Sequence, residues 1–99
     1  MGKKVIWTRT ALNQLFDIHE YIYNNTKSLR IANRVILQIQ DSSKILSKNP
    51  EMYPLDIYKS NNNGNSRAYE IFHYRISYKI EEMISIISIR HTSRTPKLH

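Results

Sequence analysis

The sequence predicts an α+β fold of order βααβββ, with an N-terminal strand and a helical hairpin packed on a small antiparallel sheet. Three observations predict it. Apolar residues recur at helical spacing through the first half of the chain, they alternate at strand spacing through the last third, and a polar run divides the two regimes. That run, Ser60-Asn61-Asn62-Asn63-Gly64-Asn65-Ser66, has no apolar area to bury and reads as an exposed loop.

The elements follow in order. Residues 4–8 form a short strand rich in β-formers, Val5, Ile6 and Trp7 among them. Ala11, Leu12, Leu15, Ile18, His19 and Ile22 then share one helical face, which Thr8 or Thr10 can cap by accepting from an otherwise unpaired backbone N–H. Asn24-Asn25-Thr26 ends this helix. A second helix starts near Ser28, with Leu29, Ala32, Val35, Ile36, Ile39 and Leu46 on one face and Arg30, Arg34, Gln38 and Asp41 on the other. Asn49-Pro50 stops it, because proline lacks the N–H that a continuing helix needs. The short polar turn between the helices makes an αα-hairpin.

Past the asparagine run, residues 67–72 read as a strand. Residues 74–80 alternate, with Tyr74, Ile76, Tyr78 and Ile80 pointing one way and Arg75, Ser77 and Lys79 the other. Glu81-Glu82 supplies a two-residue turn, and residues 83–90 form an isoleucine-rich strand, apolar enough on both faces to be central. Links this short make the three strands antiparallel neighbours. With the helices on one face of the sheet, Arg75 and Lys79 are left on the other.

Ninety-nine residues fit one domain, residues 1–99. Hydrophobic residues make up 40% and charged residues 23%, a globular composition rather than a disordered one. The chain has no cysteine, which rules out disulfide staples and thiolate metal sites and points to a reducing cytoplasm. The apolar run Val5-Ile6-Trp7 is too short for a signal peptide, and no stretch approaches membrane-spanning length. A cytoplasmic protein without membrane contacts is expected. The net charge of +7 attracts polyanions, whether nucleic acid or an acidic protein.

The ordered set of residues is more informative than any one motif. Val5-Ile6-Trp7-Thr8 runs into Ala11-x-x-x-Leu15-x-x-Ile18-x-x-Tyr21-Ile22 and Ala32-x-x-Val35-x-x-x-Ile39. Leu46-x-x-Asn49-Pro50, Tyr74-Arg75-Ile76-x-Tyr78 and Ile89-Arg90-His91-x-x-Arg94 follow. This succession resembles the RelE/ParE superfamily of toxins over nearly the whole chain. The resemblance implies a toxin of a type II toxin–antitoxin module, held inactive in a hetero-oligomer by a small antitoxin that wraps over its sheet and helices. It also implies two alternative targets, of which mRNA is the expected one, because Arg75 stands in the Tyr74-Arg75-Ile76-x-Tyr78 strand and the basic residues cluster on the sheet. RelE-like toxins cut mRNA in the ribosomal A site, whereas ParE-like toxins poison DNA gyrase and hydrolyse nothing. An inactive relative, or a plain nucleic-acid-binding module on the same fold, is a third alternative.

The first mechanism has definite chemical needs. Cleavage of RNA by its own 2′-hydroxyl requires in-line positioning, a group to move the proton, and positive charge for the developing phosphorane. Arg67, Arg75, Arg90 and Arg94 lie on or just beyond three neighbouring strands and are expected to converge on one patch. His91 is the titratable candidate, histidine being the side chain that changes charge near neutral pH. Arg75 falls where ribonucleases of the superfamily commonly carry an arginine. The lysine pair of RelE has no counterpart in Arg67-Ala68-Tyr69-Glu70, so Glu70 is the candidate base if it faces Arg67 and Arg75. Lys79 and Lys97 are candidates for RNA phosphates, and Tyr69 and Tyr78 either stack on unpaired bases or pack within the sheet. Such an endoribonuclease needs no cofactor. His19, His73, His91 and His99 lack metal-ligand spacing with carboxylates, so no metal is expected. Structural alternatives stand beside each role: Arg75 and Lys79 as a solvated strand face, Arg90 and Arg94 as antitoxin contacts, and His73 as a turn residue.

Overall fold

A computed structural model describes residues 2–57 and 64–92. Its elements are β1 (Val5–Trp7), α1 (Arg9–Thr26), α2 (Leu29–Ser42), a 3-10 turn (Lys44–Ser47), β2 (Ser66–Ile71), β3 (Tyr74–Ile80) and β4 (Ile84–His91). Residues 60–63 of the expected loop lie outside the described residues.

Thr8 starts α1. Its extended backbone frees the side chain to accept from the Ala11 N–H at 3.2 Å, and its hydroxyl donates to Ile86 O at 2.8 Å. One residue therefore caps the helix and ties its start to β4. The helix closes at Lys27, whose left-handed φ of 57° turns its N–H back onto Tyr23 O at 2.6 Å. Ser28 caps α2 through the Ile31 N–H, and His19 Nε2 meets Asn33 Oδ1 at 2.6 Å between the two helices.

The second helix stops earlier than proline alone requires. Ser42 and Ser43 donate their hydroxyls to Ile39 O and Gln40 O, offering the backbone an alternative to the helical ladder. Ser43 Oγ also accepts from Trp7 Nε1 at 3.3 Å. The chain tightens into the 3-10 turn, which still delivers Leu46 to the core, fully buried.

The sheet has the order β1-β4-β3-β2, so β4, the last strand among the described residues, is one of its two inner strands. The three C-terminal strands are antiparallel as expected, but β1 adds a parallel edge through Val5↔Ile84 and Trp7↔Ile86, which makes the sheet mixed. Tyr69, Tyr74, Ile76, Tyr78, Ile84, Ile86 and Ile89 face Ala11, Leu15, Ile18 and Ile39 of the helices across the core.

Two turns and one bulge set the register. Ile80 pairs with Ile84, so Glu81, Glu82 and Met83 make a three-residue turn, closed by Glu81 N–H to Met83 O at 3.0 Å, where two residues were expected. Ile71 pairs with Tyr74 across Phe72 and His73, both at positive φ (53° and 65°), the type I′ geometry whose twist suits a two-residue hairpin. On β4 the core residues are Ile84, Ile86 and then Ile89, a break in the period of two. Tyr78 pairs with Ile86 and Ser77 with Ser88, leaving Ile87 as the extra, bulged residue, 40% exposed. The run of isoleucines thus marks a bulge, with one strand face buried on the helices. Past Trp7, the Ile89 N–H points to an edge that β1 has vacated, and Gln14 Oε1 of α1 accepts it at 2.7 Å.

Candidate functional site

The register decides which candidate residues can meet. Residues paired across an antiparallel sheet point to the same side, and successive residues alternate. Arg67 pairs with Tyr78, and Tyr74 with His91, in the rows that carry the core tyrosines on the helix side. Glu70 pairs with Arg75, which pairs with Arg90, and this row lies on the far side. The expected single patch of Arg67, Arg75, Arg90 and His91 therefore divides between two faces.

On the far face, Glu70, Arg75 and Arg90 stand in line across β2, β3 and β4. The next row, Ala68, Ser77 and Ser88, is small and buried, and beyond it lie Ser66, Lys79 and Ser85. Arg75 is held from two sides. Its Nη2 donates to Asp56 Oδ1 at 3.1 Å, and its Nη1 lies 3.7 Å from Glu70 Oε2. The Asp56 side chain is only 3% exposed. Asp56 reaches this position because its segment runs along the outer edge of β2: Leu55 bridges to Arg67, and the Asp56 N–H donates to Ser66 O at 2.9 Å. Glu70 thus faces Arg75 and not Arg67, and two carboxylates balance the two guanidiniums of the row. Arg90 is exposed, and Lys79, part-exposed, lies 3.4 Å from Glu81 Oε2.

The other candidates have structural surroundings. Arg67 Nη1 donates to Tyr53 O at 2.8 Å and to Glu51 O at 3.3 Å, which straps the segment after α2 to the sheet. Tyr69 and Tyr78 are core residues at 6% and 1% exposure, so neither offers a ring face to a base. Tyr69 stacks on Tyr53 with centroids 4.3 Å apart, and its hydroxyl meets Ser42 Oγ at 2.8 Å. The Tyr78 hydroxyl donates to Pro50 O at 2.6 Å. Burial pushes both phenols up from 10.0 to about 12; the Ser42 hydrogen bond works against it at Tyr69, and the charge of Arg67 at Tyr78. The His91 ring sits edge-on to Tyr74, centroids 5.2 Å apart. Arg94 and Lys97 lie outside the described residues. Among the described residues no three His, Cys, Asp or Glu side chains group as a metal site, and no helix is long and apolar enough to cross a membrane.

Asp56 is the residue of this candidate site that sequence reasoning missed. The available signal was a lone acid among Tyr53, Pro54, Leu55 and Ile57, since aspartate is rarely buried unless paired. Its partner, though, is fixed by a strand pairing that spacing does not encode.

Known proteins share this architecture. A chromosomal ParDE toxin–antitoxin system from P. aeruginosa contains a chain similar to this one at 18% identity and a TM-score of 0.72, the alignment covering 90% of this chain and 95% of that one. A chain of the toxin–antitoxin complex RelBE2 from Mycobacterium tuberculosis is also 18% identical, with a TM-score of 0.58 and coverage of 92% and 99%. No curated protein matches the sequence significantly. The family model for the ParE toxin of the type II toxin–antitoxin system parDE matches residues 5–96, nearly the whole length, so this chain belongs to the ParE toxin family within the RelE/ParE superfamily.

Proposed function

We propose that this toxin acts by binding, as a ParE-like inhibitor of DNA gyrase, and that a cognate antitoxin holds it inactive in a hetero-oligomer. One observation carries the reading: the described residues of the expected cleavage site are divided, with Arg75 and Arg90 on one face of the sheet and Arg67 and His91 on the other. Arg75 is tied to a buried carboxylate and to Glu70, and Arg67 and His91 belong to the opposite face. A phosphorane needs unbalanced positive charge beside a proton-moving group, whereas a gyrase poison needs only a stable surface. Membership of the ParE family supports the choice of target, and the likeness to chains from ParDE and RelBE2 complexes supports an antitoxin partner.

Ribosome-dependent mRNA cleavage is the second reading. The row Glu70–Arg75–Arg90 favours it, placing a carboxylate and two guanidiniums on one face. Inducible expression separates the two readings, with transcript ends mapped on translating mRNA and gyrase-linked DNA breaks assayed in the same cells. Breaks with intact mRNA are expected. Codon-phased cuts without breaks would overturn the gyrase reading.

A further inference from the structure

The hairpin between β2 and β3 is built against the preferences of its own geometry. A type I′ turn asks for positive φ at both central residues, which Asn-Gly or Gly-Gly meets without steric cost. Here the two positions hold Phe72 at 53°, a bulky side chain for which this conformation is an outlier, and His73 at 65°, which tolerates it better than most residues but less freely than glycine. The ring of Phe72 is not compensated by burial, since the residue is 46% exposed, and His73 is exposed too. Nor is the turn loose. Thr92 N–H donates to His73 O at 2.7 Å, and Tyr74, the next residue, is buried against His91. The turn is therefore strained, pinned to β4, and presents an aromatic ring outward.

We infer that the Phe72-His73 turn is the anchor by which this chain enters a pocket on a folded protein target. The inference rests on the binding reading above and adds to it the point of contact. Backbone strain that nothing within the fold relieves persists where function uses it. A ring carried on a backbone that is held before association loses less freedom on binding than one on a loose loop, and aromatic side chains of this kind dominate interface energetics. The fitting partner surface is an apolar pocket that takes the ring, on a protein of acidic overall surface, which the chain charge of +7 and the exposed Arg90 complement.

The test is the double substitution Phe72→Asn/His73→Gly, which installs the residues this turn prefers. Three quantities are measured: the urea midpoint of the purified chain, growth arrest on graded induction, and inhibition of purified gyrase holoenzyme on supercoiled plasmid. The expected result is a higher midpoint together with growth arrest weakened about tenfold or more. A higher midpoint with undiminished growth arrest overturns the inference, and so does a midpoint that fails to rise. If the wild type arrests growth without inhibiting gyrase, the gyrase reading fails, while the growth-arrest comparison still decides the turn. Should the double variant be insoluble, Phe72→Ala keeps the exposed position and removes only the ring. Undiminished growth arrest by that soluble variant also overturns the inference.

Discussion

Replacing Arg75 by alanine separates a structural role from a chemical one. The guanidinium lies 3.1 Å from Asp56, whose side chain is 3% exposed while that of Arg75 is 20% exposed. Removing one partner of a buried ion pair costs about 3–5 kcal/mol, because the remaining charge stays in a poor solvent. Partial exposure of the arginine places this pair at the lower end, about 3 kcal/mol. The Glu70 contact adds little, its side chain being 59% exposed. A domain of this length holds about 5–15 kcal/mol in all, so Arg75→Ala should lower Tm by about 12–24 °C at roughly 4–8 °C per kcal/mol. Urea melts of Arg75→Ala, Asp56→Asn and Arg75→Ala/Asp56→Asn form a double-mutant cycle, with an expected coupling of about 1–3 kcal/mol. Arg75→Ala melting within about 2 °C of wild type, or strict additivity, would refute the reasoning. Loss of toxicity in Arg75→Ala is therefore not by itself a measure of catalysis, since a loss of stability of this size also lowers the amount of protein that survives in the cell.

Arg90→Ala is the cleaner probe of the same row. At an exposed position it should stay within about 0.5 kcal/mol of wild type, and on the binding reading it leaves transcript ends unchanged. Alkaline pH tests the tyrosine core. Folding raises Tyr69 and Tyr78 from 10.0 to about 12, so their contribution is intact below pH 10 and lost as pH rises through 12. The loss is on the order of 2–3 kcal/mol each; Tyr69→Phe/Tyr78→Phe should flatten the urea midpoint between pH 10 and 12, and an unchanged slope would count against the assignment. Leu15→Ala removes a buried leucine of α1 and should cost about 2–5 kcal/mol by calorimetry. Thr8→Ala removes both the cap and the bond to Ile86, with an expected cost of about 1–2 kcal/mol in the same measurement.

Periodicity made most of the fold legible. The caps at Thr8 and Ser28, the face of Ala11, Leu15 and Ile18, and the alternation of Tyr74, Ile76 and Tyr78 all express local rules that a short window contains. What escaped depends on distant partners. The early end of α2 reflects hydroxyl competition at Ser42 and Ser43, and the Ile87 bulge is visible only once the pairing of β3 with β4 is known. The site suffered most from this. Arginines at similar places along neighbouring strands look convergent, yet one residue of offset put Arg67 and Arg75 on opposite faces. The segment bringing Asp56 to Arg75 has no periodic signature at all.

The order of the sheet also sets when the toxin comes into being. The inner strand β4 follows the other strands of the sheet in sequence, and its edge neighbour β1 precedes them all: Val5 waits for Ile84. Domains elongate at about 5–20 residues per second, so the opening strand goes unpaired for several seconds. Chains cut short before β4 lack the element that joins β1 to β3, and no shorter product can assemble the sheet. The folded toxin is thereby confined to chains that have been synthesised through β4.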